Sequence, residues 1–99
     1  MQETPHADKA ARNIAENVYS AYEQQATTRV HPTKMQTLLA RLAETIRPEI
    51  GSSPGSVIAA VNGTLDAWEQ TNDEVRGPRL ASLDLADGSV RMSLPQRLA

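Results

Sequence analysis

The segment from Ala81 to Leu94 constrains the fold most, because its apolar and polar residues alternate on both sides of Asp87-Gly88. An Asp-Gly pair between two alternating runs is a strong signal for a β-hairpin. A two-residue turn at this point predicts the pairs Ala86–Ser89, Leu85–Val90, Asp84–Arg91, Leu83–Met92, Ser82–Ser93 and Ala81–Leu94. Every second pair is apolar, so the hairpin is predicted to have one apolar face and one polar face.

The predicted hairpin needs other parts of the protein to cover it, because an isolated two-stranded sheet is marginally stable in water. Its apolar face consists of the side chains of Leu83, Leu85, Val90, Met92 and Leu94. We expect helices of the same chain to pack on this face. The two outer edges of the hairpin are templates for pairing with another strand, so a second copy of the chain is a further interpretation.

Three segments before the hairpin show the start signals and the periodicity of amphipathic helices. Each begins with a Pro, preceded by Thr4, His31 or Ser53, and Pro is favoured at the first helical position. The predicted helices span about residues 5–26, 32–47 and 54–70, the hairpin spans about 80–94, and residues 95–99 form a loose tail. The sequence therefore predicts a single small α+β domain in which three amphipathic helices are followed by a C-terminal two-stranded antiparallel hairpin packed on them.

The composition of the 99-residue chain limits both its core and its chemistry. There is no Cys and no Phe, and Trp68 is the single Trp, so disulfides and thiol nucleophiles are excluded. Trp68 ends the apolar stripe formed with Val57, Val61 and Leu65, which indicates a core position. A second interpretation is that Trp68 is an exposed anchor for a partner, because Trp is enriched among binding hot spots.

No motif in the sequence indicates catalysis. The two histidines, His6 and His31, have no partners at the spacing of a metal site. The segment Gly51–Gly55 lacks the Lys of a phosphate-binding loop. Asp66, Glu69 and Asp73 lie on one side of the third helix and are interpreted as a solvated acidic face. We therefore expect no enzyme activity, no cofactor and no bound metal.

The order of three helices and a hairpin resembles the layout of a winged helix-turn-helix domain, which binds DNA. The cations available for such a role are Arg41, Arg47, Arg76, Arg79 and Arg91. Against it, residues 48–75 contain five acidic residues and no Lys or Arg, and such a segment repels phosphates. DNA binding is therefore the alternative hypothesis.

The favoured interpretation is a small binding or regulatory protein that acts through protein–protein contacts. The candidate partner or dimer contacts are Leu83, Asp84, Arg91, Met92 and Trp68, and the partner is another protein or a second copy of the chain. The first residues do not resemble a secretory signal, and no run of about 20 apolar residues could span a membrane. We expect a cytoplasmic location without membrane contact.

Overall fold

The computed structural model describes residues 5–26, 32–72 and 75–94. Helix α1 spans Pro5–Gln25, α2 spans Pro32–Ile46 and α3 spans Pro54–Gln70, with a short 3-10 turn at Arg47–Glu49. Strands β1 (Arg79–Leu83) and β2 (Val90–Ser93) form a two-stranded antiparallel sheet. This architecture confirms the predicted α+β class, and each helix ends within one residue of its predicted end. Thr4, His31, Asp73 and the predicted tail at 95–99 lie outside the described residues.

Local signals explain the helix boundaries. Ser53 is the N-cap of α3, and its side chain accepts a hydrogen bond from the Ser56 N–H at 3.3 Å, which satisfies a donor of the first turn. Pro48 has no N–H to continue the hydrogen bonds of an α-helix, and α2 ends at Ile46, where the chain passes directly into the 3-10 turn at Arg47–Glu49. Helix α3 continues through Gly63, as its apolar spacing predicts.

The core lies among the three helices and under one face of the hairpin. Helix α2 packs against α1 and α3, while β1 packs against α3 and β2 against α1. The Tyr22 and Trp68 rings meet edge to face, with centroids 5.9 Å apart. Trp68 is 3% exposed, so it has the core position and is not an exposed anchor. The buried apolar residues are Ala11, Ile14, Ala15, Val18, Tyr22, Met35, Leu38, Leu42, Ile46, Val57, Val61, Leu65, Trp68, Val75 and Leu80.

The predicted strand register is wrong, although the predicted face of the strands is largely right. Leu83 lies opposite Val90 and not opposite Met92, because the pairing near the turn is displaced by two residues. A displacement of two keeps each side chain on its face. Leu83, Leu85, Val90 and Met92 accordingly pack against the core as half-buried side chains, whereas Leu94 is 53% exposed. The observed pairs are Arg79–Ser93, Leu80–Met92, Ser82–Arg91 and Leu83–Val90.

The displacement originates at the turn. A two-residue type I′ turn requires positive φ at both central residues, but only Gly88 adopts it among the described residues, with φ 77°. The loop therefore widens to residues 85–88, and Asp84 bonds Ser89 instead of facing Arg91. The Asp84 N–H donates to the Ser89 carbonyl at 3.0 Å, and the Gly88 N–H donates to the Asp84 carbonyl at 2.8 Å. The predicted cross-strand pairing of Asp84 with Arg91 is therefore wrong, and Arg91 lies opposite Ser82.

Strand β1 contains a bulge at Ala81. Leu80 lies opposite Met92 and Ser82 opposite Arg91, so Ala81 is an extra residue on β1. A bulge changes the alternation of side chains along a strand. It allows Leu80 and Leu83, which are three residues apart, to face the same core.

Candidate functional site

A polar cluster that joins several elements is centred on Glu69 of α3. The Glu69 Oε2 accepts hydrogen bonds from the Tyr22 hydroxyl, from the Gly77 N–H at 3.0 Å and from Arg79 Nη1 at 3.0 Å. Its Oε1 accepts from Arg79 Nη2 at 3.0 Å. Arg79 also binds Asp66 Oδ1 through Nε and Nη2, at 3.0 and 2.8 Å. The cluster therefore joins α1, α3 and the segment that leads into β1.

The electrostatics of this cluster keep Glu69 ionised. Burial is the largest influence and favours a higher pKa for Glu69, but hydrogen bonds from Arg79 and Tyr22, together with the charge of Arg79, outweigh it and lower the pKa. Burial, followed by the hydrogen bond with Glu69 and its charge, raises the pKa of Tyr22. A carboxylate that already accepts four hydrogen bonds from its own protein is suited to hold elements together rather than to accept a proton from a substrate.

The acidic side of α3 thus differs from the solvated face that the sequence indicates. Glu69 is 9% exposed and paired, while Asp66 is exposed but pairs with Arg79 as well. Arg79, a candidate DNA contact, has both its guanidinium amines and its Nε occupied by these carboxylates and by the Gly77 and Pro78 carbonyls. This cluster is a structural tie between elements.

The outer edge of β1 is closed at Leu80 by a helix side chain. The Leu80 N–H donates to Asn62 Oδ1 at 2.8 Å, and Asn62 Nδ2 donates to the Leu80 carbonyl at 3.1 Å. One amide side chain on α3 therefore makes both hydrogen bonds that a neighbouring strand would make. The bulge at Ala81 further interrupts this edge, and both features are ways in which proteins prevent strand pairing.

The outer edge of β2 differs from that of β1. Asp84–Ser89 is a hydrogen-bonded pair, and bonded and non-bonded pairs alternate along antiparallel strands. The N–H and C=O groups of Val90 and Met92 therefore point away from β1, and continued alternation gives Leu94 the same direction. Within the described residues, no hydrogen bond joins these outward groups to another part of the chain. We call this row, Val90, Met92 and Leu94, the β2 edge.

The hairpin end of the β2 edge is held against α1. Asn17 Nδ2 donates to the Gly88 carbonyl at 2.7 Å, and Asn13 Nδ2 donates to the Asp87 carbonyl at 3.4 Å. The Asp87 carboxylate accepts from the Ser89 N–H at 2.9 Å and lies against its own turn. These bonds fix where β2 begins, so its outward groups are presented by an ordered strand.

The structure brings together some of the candidate partner contacts and separates others. Met92 belongs to the β2 edge, and Arg91 lies between its outward residues with an exposed side chain. Leu83 lies across from Val90 on β1, and Asp84 lies at the start of the turn, where its carboxylate accepts from the Ala86 N–H at 2.9 Å. Trp68 is in the core and takes no part in this surface.

The candidate DNA contacts are spread over several elements. Arg41 is exposed on α2, and Arg91 is exposed on β2. Arg47 pairs with Asp8 of α1 at 2.6 Å, and Arg76 Nη1 donates to the Val75 carbonyl at 2.9 Å. Arg47, Arg76 and Arg79 therefore have different local partners, and the five cations lie on separate elements rather than on one helix.

Comparison with protein-family models, curated proteins and solved structures gives no match for this chain. None of the described helices is long and apolar enough to cross a membrane. Among the side chains that the structure describes, no group of three His, Asp or Glu residues is arranged to hold a metal ion.

Proposed function

We propose that this chain is a non-enzymatic binding protein that acts through protein–protein contacts, and that its partner adds a strand to the β2 edge. The proposal includes the cytoplasmic location expected from the sequence. It depends most on one observation, namely the difference between the two edges of the sheet. On the β1 edge, Asn62 bonds the outward groups of Leu80, and the bulge separates them from the outward groups of Leu83. The β2 edge instead has three successive outward residues with no hydrogen bond to another part of the described chain.

Strand addition suits the chemistry of the β2 edge. In this mode of recognition, main-chain hydrogen bonds provide affinity and alternate side chains provide specificity. The edge combines outward N–H and C=O groups with a polar outer face, formed by Arg91 and Ser93, and an apolar inner face. Strand β2 contains neither Lys nor Pro, and Arg91 is its one charged residue, so it has few of the residues that commonly protect an edge strand from pairing.

The inner face at the β2 edge leaves apolar surface exposed that an added strand could cover. Val90 and Met92 are half-buried against the core. Among the described residues, Leu94 is the exposed large hydrophobic side chain. The alternation along the strand places it on the same side as Val90 and Met92. An added strand with apolar residues at alternate positions would remove these side chains from water, which favours association.

DNA binding receives less support from the geometry than protein binding does. Helix α3, the counterpart of a recognition helix, contains Asp66 and Glu69 and no Lys or Arg. Arg79, which could have supplied positive charge at the hairpin, already neutralises those two carboxylates. A protein that binds DNA needs unneutralised cations for the phosphates.

Site-specific photo-crosslinking tests the proposal in the cells that make the protein. A benzophenone amino acid at Leu94 is expected to trap a discrete protein product, identified by mass spectrometry. The control position is Gln36, which is exposed on α2, and is expected to give none. Blocking the edge with Leu94→Pro removes an outward N–H that the hairpin does not use, while Leu94→Ala keeps it.

Leu94→Pro and Leu94→Ala together distinguish strand pairing at the β2 edge from contact through side chains alone. With the benzophenone moved to Arg91, crosslinking should persist in Leu94→Ala and fall strongly in Leu94→Pro. Equal crosslinking in both variants, or no product from either Leu94 or Arg91, would show that the β2 edge is not the binding surface.

A further inference from the structure

We infer that the occupant of the β2 edge is a second copy of this chain, paired antiparallel so that Met92 lies opposite Met92 of the second copy. This inference rests on the proposed function and names its partner. It produces a four-stranded sheet in the order β1, β2, β2 of the second copy, β1 of the second copy. Sheets of three or more strands are independently stable where two-stranded ones are marginal.

The positions of the outward groups select this register. Two copies of a strand related by a two-fold axis must bring outward residues opposite outward residues. A pairing centred on Val90 would need Gly88 as a partner for Met92, but the Gly88 N–H and C=O already bond Asp84 and Asn17. A pairing centred on Ser93 would match only Met92 and Leu94 within the β2 edge, and it would pair Val90 with Gln96, outside that edge. The pairing centred on Met92 matches Val90, Met92 and Leu94 with Leu94, Met92 and Val90.

The charge on β2 excludes the remaining close register. A pairing centred on Arg91 would place the two Arg91 side chains directly opposite each other, and like charges at such positions are destabilising. In the pairing centred on Met92, Arg91 instead faces Ser93 of the second copy. The same register places the exposed Leu94 beside Val90 of the second copy, on the apolar side of the joined sheet.

A cysteine scan reads the register directly, because the natural chain has no Cys. Residues 90–94 are replaced by Cys one at a time, with Ser82→Cys on β1 as the control. In the proposed register the two Met92 Cα atoms lie about 5.5 Å apart, within disulfide range. The two Arg91 positions, like the two Ser93 positions, are offset by two residues and lie about 8 Å apart. Met92→Cys should therefore form the disulfide-linked dimer fastest under mild oxidation.

Arg91→Ala tests the same register without replacing Met92, which packs against the core. Arg91→Ala should change the dimer dissociation constant by less than about twofold, because Arg91 does not face its own copy. In the register centred on Arg91, the same variant would relieve a like-charge pair and tighten the dimer by up to about fivefold. Fastest crosslinking at a position other than 92, or tighter dimerisation of Arg91→Ala, would overturn the register.

The oligomeric state separates this inference from the proposed function. Light scattering on the natural chain at tens of micromolar is expected to give the mass of a dimer. A monomer, combined with photo-crosslinking from Leu94 to a different protein, would overturn self-pairing and retain the β2 edge as a binding surface. A monomer with no crosslinked product would overturn both.

Discussion

The Tyr22 hydroxyl on α1 donates to the same carboxylate oxygen of Glu69 that accepts hydrogen bonds from the Gly77 N–H and from Arg79 Nη1. This one oxygen therefore receives donors from the first helix and from the segment that leads into the sheet. Burying a carboxylate is costly unless it is paired and hydrogen-bonded. The orientation of the hairpin thus depends on Glu69, a residue that the spacing of apolar residues along α3 would place on the solvent-exposed face.

Glu69→Gln is expected to reduce the free energy of unfolding by about 3 kcal/mol. The substitution removes the negative charge of the most buried partner of the Arg79 guanidinium. The matched control is Asp66→Asn, which removes the other carboxylate bound by Arg79. The Asp66 side chain is 62% exposed, so its loss should cost less than about 1 kcal/mol. Urea unfolding of both variants measures the difference, and equal losses would contradict the central role of Glu69.

The contribution of Glu69 should depend on pH in a defined direction. Its pKa in the folded protein lies below the ordinary value of 4.5, so the unfolded chain takes up the proton first as the pH falls. The stabilisation is therefore complete above about pH 5 and is lost as the pH falls through the folded pKa. The difference in unfolding free energy between the natural chain and Glu69→Gln should shrink in acid. A difference that stays constant down to about pH 2 would contradict this assignment.

Two Gly→Ala substitutions should have opposite effects on stability. At Gly77, an added Cβ would collide with the Tyr22 ring, so Gly77→Ala should displace Tyr22 and lower the melting temperature. At Gly63, in the middle of α3, an added Cβ meets nothing within 4 Å. Gly63→Ala should raise stability by up to about 1 kcal/mol through helix propensity. Thermal unfolding measures both signs, and a neutral Gly77→Ala would show that the ring has room to move.

Paired substitutions on β1 test which face of the strand meets the core. Leu83→Asp places a charge on a half-buried side chain packed against the core and should destabilise the protein by more than about 2 kcal/mol. Ser82→Asp changes an exposed neighbour and lies opposite Arg91, so it should remain within about 0.5 kcal/mol of the natural chain. Denaturant unfolding compares them, and a larger loss for Ser82→Asp would reverse the assigned faces.

The sequence predicted the parts of this protein whose signals are local. Pro48 and the Ser53-Pro54 start indicated the helix boundaries, and the alternation in β2 indicated which residues face the core. The register failed because the turn widened when Asp87 kept negative φ, a choice that the Asp-Gly pair alone does not determine. Asn62 and Glu69 gave no local signal at all, since their partners Leu80 and Arg79 are 18 and 10 residues away and become neighbours only after folding.

Replacing Asn62 tests how the β1 edge is kept closed. Asn62→Ala leaves the Leu80 N–H and C=O without their side-chain partner and should cost about 1–3 kcal/mol of stability. With the self-pairing proposed above, it should also produce species larger than a dimer in sedimentation velocity experiments at high concentration. Asn72→Ala is the control, because the Asn72 side chain donates to the Trp68 carbonyl and to the Thr71 hydroxyl at the end of α3. An unchanged distribution of sizes for Asn62→Ala would assign the closure of this edge to the bulge.

A sheet that could accept a neighbour on both sides would grow without limit, since every added copy would present a fresh acceptor for the next. In the self-pairing proposed above, Asn62 bonds the other side of the sheet at Leu80, so growth would stop once two copies have met. A single amide on α3 would then set the number of subunits and separate a finite assembly from a fibre.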